Sequence, residues 1–126
     1  MVKFGWPSIA RTEVSGDAAS LYIQARNPVE AENVLAAGAD HGFQSARHYY
    51  SLGAAYYKKK MYDRAVAAYM QCLEQKPTHA NAERGIGLSP EKAGKGPEAA
   101  AHFRKYLELK PDARDRERIL EAIGGD

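Results

Sequence analysis

The chain has 126 residues, with 18 Lys and Arg against 16 Asp and Glu, the size of one ordinary domain or a short repeat array. Hydrophobic residues make up 44% and charged residues 27%, close to globular averages, so a packed core is expected and disorder is not. A mean hydropathy of −0.56, with no apolar run approaching about 18 residues, excludes a membrane-spanning helix.

In chain order, residues 1–11 read as an N-terminal arm ahead of a single domain over 12–126. The opening stretch, MVKFGWPSIARTEV, lacks the apolar core of a secretory signal. It carries Phe4, Trp6 and Ile9 without helical period. Phe4 and Trp6 are candidate interface anchors, the alternative being that the arm packs on its own first hairpin. Residues 12–45 are expected to form a degenerate helix hairpin. There Asn27-Pro28-Val29-Glu30 offers a cap, a first-turn proline and a capping-box Glu, and Gly38 is placed to end the helix.

The clearest hairpin covers 46–79. Tyr49, Leu52, Gly53 and Tyr56 recur at i, i+3, i+4 and i+7, one face of an amphipathic helix, and Ala65, Tyr69 and Cys72 line the partner helix. Gly53 and Ala65 are small where two helices would cross closely. Residues 80–113 repeat the arrangement with Ile86, Gly87, Ala99 and Phe103, but Glu83 replaces the first aromatic and Pro90 a tyrosine. A proline there removes a helical hydrogen bond, so Ser89-Pro90-Glu91 predicts a break in that helix, whereas Pro97 fits a first turn. Beyond Pro111, Asp112 is expected to cap a final helix within 114–126, reaching about Ile123, with Arg114, Arg116 and Arg118 outward and Ile119, Leu120 and Ile123 inward.

The two prolines, Pro77 and Pro111, lie 34 residues apart, closing AYMQCLEQKP and HFRKYLELKP. Working back from Pro77 gives Tyr49, Leu52-Gly53, Tyr56, Ala65 and Tyr69, which resembles the tetratricopeptide repeat pattern W-x2-L-G-x2-Y, A-x3-F, P. The copy at 80–113 keeps most landmarks. The copy at 12–45 keeps Ala18, Ala19, Tyr22, Ala31 and Leu35, with Gly38 and Phe43 poorly matched. The resemblance implies an all-α fold of about three stacked antiparallel helix hairpins in a right-handed superhelix, closed by a C-terminal capping helix. It also implies that Tyr22, Tyr49, Tyr56 and Tyr69 are core.

Chemistry is scarce by comparison. His41, His48, His79 and His102 show no metal-binding spacing, and no metal site is expected. The lone Cys72 excludes an internal disulfide and a cysteine-based zinc site, and falls where the repeat carries a small packing residue. Gly85-Ile86-Gly87 and Gly94-Lys95-Gly96 lack the context of a phosphate loop. No catalytic constellation is present, so an enzyme is not expected and no cofactor is implied.

Charge is uneven: 46–79 holds six basic and two acidic residues, including Lys58-Lys59-Lys60, while 80–126 is balanced. Three lysines at a helix C-terminus can simply satisfy the dipole and stay solvated. Tyr50 and Tyr57 lie off the repeat landmarks, seven apart on the first helix of 46–79. In the resembled family that face lines a concave groove that binds peptides or helices. The expected groove set is Arg47, Tyr50, Ala54, Tyr57, Lys58, Asn81, Arg84, Leu88 and Lys92. The positions that hold a C-terminal carboxylate in some relatives are here Gly16, Ser20, Ser51, Asn81 and Gly85, so recognition of chaperone C-termini is not expected. The resulting expectation is a cytoplasmic adaptor, assembly factor or scaffold subunit that binds a peptide or helix of another protein, an acidic one among the candidates, unless a leader has been trimmed from the chain. A permanent structural subunit, or less readily a basic-patch nucleic-acid binder, is the alternative.

Overall fold

The computed structural model describes residues 17–92 and 96–124, except the side chains of 90–92, 96 and 97. Every regular element among them is helical. Residues 17–24 form α1, followed by α2 (Pro28–Ala39), α3 (Ala46–Lys58), α4 (Tyr62–Gln75), α5 (Ala80–Lys92), α6 (Gly96–Leu109) and α7 (Arg116–Ile123). Neighbours in sequence are neighbours in space: α3 packs on α4, α4 on α5, α5 on α6 and α6 on α7, while α3 also meets α5. Alternate helices therefore line one side of the stack.

The turns carry the repeat more faithfully than the side chains do. At the end of α1, Asn27 N–H donates to Tyr22 C=O at 2.8 Å, and Arg26 takes the left-handed conformation (φ 61°). At the end of α3, Met61 N–H donates to Tyr56 C=O at 3.0 Å, with Lys60 left-handed (φ 63°). Residues 26 and 60 are 34 apart, so one backbone closure recurs at the repeat period in the degenerate and the clear hairpin alike.

Packing follows the same period. A Cβ added to Gly53 would lie 2.6 Å from the Tyr69 ring, and one added to Gly87 would lie 2.6 Å from the Phe103 ring, each a helix-to-helix contact within one hairpin. Gly85, from the next hairpin, would meet the opposite edge of Tyr69, also at 2.6 Å. One apolar cluster joins α1 to α5 through Leu35, Leu52, Tyr56, Tyr69 and Ile86; a second joins α5, α6 and α7 through Phe103, Tyr106 and Ile119.

Several local expectations need correction. The helix does not break at Pro90: α5 runs on to Lys92. Pro90 stands in the last turn, where its missing N–H removes only the bond to Ile86, and the buried Ser89 hydroxyl donates to Gly85 C=O at 2.9 Å within the helix. Gly38 does not end α2. It is buried inside the helix, and Gly42 (φ 89°) makes the closure, with Phe43 N–H donating to Gly38 C=O. Asn27 makes no side-chain cap, although Pro28 does open α2. The final helix starts at Arg116, and Asp115, not Asp112, stands at its N-cap position.

Tyr22 is exposed. Its counterpart Tyr56 is fully buried, and Glu32 of α2, the helix before its own, accepts its hydroxyl hydrogen. Glu83, at the position of a landmark aromatic, is nonetheless buried and pairs with His102 Nδ1 at 2.8 Å.

Candidate functional site

Two clefts open beside Tyr50. The first, 660 Å³, lies between α1 and α3, with Ile23, Tyr50 and Ala54 in its wall and Arg26, Lys58 and Lys59 at its rim. The second, 780 Å³, lies between α3, α5 and the 110–115 segment and includes Tyr50, Asn81, Arg84, Tyr106 and Asp115.

Tyr50 is held in place from behind. Its ring stands 5.6 Å from Tyr69 and 4.9 Å from His79, both tilted contacts. His79 is itself anchored, because its Nδ1 accepts the Ala82 N–H at 3.1 Å at the start of α5. An imidazole that accepts there must be unprotonated at Nδ1, and burial, aided by the charge of Lys76, holds its pKa below the usual histidine value. Half-buried, backed by two rings and shared by both clefts, Tyr50 presents a rigid apolar face with a polar tip.

The expected groove set divides. Tyr50, Ala54 and Lys58 fall in the first cleft; Tyr50, Asn81 and Arg84 fall in the second. Arg47 is exposed on the first turn of α3 and lines neither. Tyr57 also lines neither. The α3–α4 turn folds Tyr62 back against it in an edge-on contact at 5.4 Å, so it serves the hairpin. Leu88 packs into the second core cluster, drawn inward by α6 and α7. The Lys92 side chain, and Phe4 and Trp6 entirely, lie outside the described residues.

Arg84 is not available to a partner in the way its position suggests. Its Nε donates to Asp115 Oδ2 at 2.6 Å, and the Tyr106 hydroxyl donates to Asp115 Oδ1 at 2.8 Å. Burial alone would push the Asp115 carboxyl up, but these two donors outweigh it and hold the pKa below the usual aspartate value. The second cleft is thus largely neutralised from within. Only tertiary structure brings residues 84, 106 and 115 together, so spacing along the chain gave no signal for the network.

The remaining reactive groups are quiet. Cys72 is fully buried, and burial pushes its thiol up to about 11, leaving it protonated at neutral pH. Among the described residues no three His, Cys, Asp or Glu side chains are grouped to hold a metal, and no helix is long and apolar enough to cross a membrane.

Comparison with known proteins identifies the fold. Residues 46–79 match the family described as tetratricopeptide repeat. No curated protein matches the sequence at a significant level. Among solved structures, the chain is similar to the TPR domain of Arabidopsis OM64, at 18% identity over 94% of this chain and 98% of that one, with a TM-score of 0.75. It is similar to the second TPR domain of human RPAP3, solved in complex with the HSP70 peptide SGPTIEEVD, at 19% identity over 93% and 98% of the two chains, TM-score 0.76. It is also similar to MamA, at 23% identity over 90% of this chain and 64% of that one, TM-score 0.71. The described chain has the all-α helical-repeat fold of tetratricopeptide-repeat domains, and residues 46–79 are its clearest repeat.

Proposed function

We infer that this protein is a protein-interaction module that holds a peptide or helix of a partner against the α1–α3–α5 side, with Tyr50 as the anchor. The observation that carries this reading is the position of Tyr50: half-buried, braced by Tyr69 and His79, and in the wall of both clefts. Large aromatic side chains already ordered before binding lose little entropy on contact, which is why they dominate interface energetics. The RPAP3 domain of the same fold is solved with a peptide, which supports the class of ligand though not its sequence. An adaptor, assembly-factor or scaffold role follows from such display, with a permanent subunit of a larger complex as the other form of the same activity. The repeat layout that goes with this proposal is hairpins over 12–45, 46–79 and 80–113 with a capping helix within 114–126; the arm expected over 1–11 lies outside the described residues.

Affinity purification from cell extract with wild-type bait, Tyr50→Ala and Tyr57→Ala tests it. Partners retained by wild type and Tyr57→Ala should be lost with Tyr50→Ala, in a bait whose circular dichroism still matches wild type. Retention of every partner by a folded Tyr50→Ala bait would remove the anchor and the groove with it.

A further inference from the structure

The two clefts differ in charge, and the difference selects between them. Arg84, Lys110, Asp112, Arg114 and Asp115 line the second, where the Arg84–Asp115 pair consumes one charge of each sign. In the first cleft Arg26, Lys58 and Lys59 are exposed, make no ion pair with a described residue, and no carboxylate is among the described residues that line it. Three cations therefore share the cleft with Ile23, Tyr50 and two alanines, and with Gln24 and Ser51, none of them acidic.

Lysines ending a helix need no partner, but Arg26 comes from the turn after α1 and adds a cation from a second element. Its backbone is left-handed, a conformation that costs an L-residue about 1–2 kcal/mol and that glycine adopts freely. That turn is the repeat's own closure, shared with Lys60, so it is the charge of Arg26 and not its backbone that bears on binding.

We propose that the α1–α3 cleft binds an acidic segment of a partner protein, its carboxylates meeting Arg26, Lys58 and Lys59 and a neighbouring apolar side chain resting on Tyr50 and Ala54. This rests on the peptide-binding reading above and names the partner's chemistry and the cleft it uses. Charge complementarity carries the choice: the cleft lacks internal neutralisation, whereas its neighbour has it. The proposal takes these carboxylates as side-chain groups within the segment.

Selection from a random peptide display library, with the displayed segment flanked on both sides so that it has no free C-terminus, tests this. Baits are wild type, the double variant Lys58→Glu/Lys59→Glu, and Lys110→Glu in the second cleft; all three positions are exposed, so folding is spared. Wild type should enrich Asp and Glu together with at least one apolar residue. Wild-type binding should fall steeply with salt, the double reversal should weaken the best peptide on the order of tenfold, and Lys110→Glu should leave it within about twofold. Peptides without acidic excess, or loss with Lys110→Glu and not with the double variant, would overturn the proposal while leaving a peptide-binding groove. Failure to enrich any peptide would overturn both. A random single-stranded RNA pool that binds as tightly as the best peptide, with the same loss in the double variant, would overturn it in favour of a nucleic-acid ligand.

Discussion

The Tyr69 ring is closed in on both edges, with Gly53 of α3 on one and Gly85 of α5 on the other. Alanine normally favours a helix over glycine by about 1 kcal/mol, so Gly53→Ala sets propensity against overlap. The ring cannot yield, because Gly85 closes its far edge, and overlap wins. Gly53→Ala should lose about 1–3 kcal/mol in urea unfolding and Gly53→Leu more, since overpacked cores cost that much; an unchanged midpoint would refute the crossing. Lys60 offers the opposite case. Held left-handed at φ 63°, it should gain about 0.5–1 kcal/mol as Lys60→Gly, read from the same transition, because strain relief exceeds glycine's entropic cost there. His79 adds a pH dependence. Its folded pKa is depressed, so the unfolded chain binds the proton more readily. Its stabilisation is complete above the unfolded value near about 6.5 and is lost as pH falls through the folded value. The stability advantage of wild type over His79→Ala should therefore shrink between pH 7.5 and 5, measured by denaturant midpoints.

At the scale of elements, α7 is a latch as much as a cover. Ile119 is buried in the second cluster, and Asp115 at the helix start bonds Arg84 of α5 and Tyr106 of α6. Asp115→Ala should cost about 1–2 kcal/mol, discounted for partial exposure, and hydrogen exchange at Ile119 and Leu120 should quicken more than at Tyr56. Uniform exchange across α3 and α7 would mean that the latch is ornamental. The helix itself was legible: Arg114, Arg116 and Arg118 are exposed and Ile119 is buried, as the pattern of charged and apolar residues predicts. Its start was not, because Asp112 and Asp115 are both cap residues by type, and only the fold draws Asp115 to the helix start through Arg84 and Tyr106. Pro90 was misread for a related reason. A proline penalty belongs to a helix interior, and how much helix followed could not be read from a stretch rich in Gly, Lys and Pro.

For the molecule as a whole, the hairpin order and the 34-residue period follow from local features: small residues at crossings, aromatics opposite them, and Pro77 and Pro111 after α4 and α6. These are written in contiguous sequence and survive even where Tyr22 is exposed and Glu83 stands in for an aromatic. The site was only partly legible. Tyr50, Ala54 and Lys58 meet in one cleft because they share a helix face, whereas Tyr57 and Leu88 share the direction in sequence but are claimed by Tyr62 and by the α6–α7 core. Lys59 stands in the basic run but outside the expected groove set; Arg26 has no signal in sequence, since only the folded α1–α3 pair brings a turn residue to the end of another helix. The most direct test of the account is an amide chemical-shift titration of the isotope-labelled protein with the best peptide from display. Shifts should concentrate on Ile23, Arg26, Tyr50, Ala54 and Lys58, with residues 110–115 unmoved. Shifts centred on Asn81, Arg84 and residues 110–115 instead would contradict it.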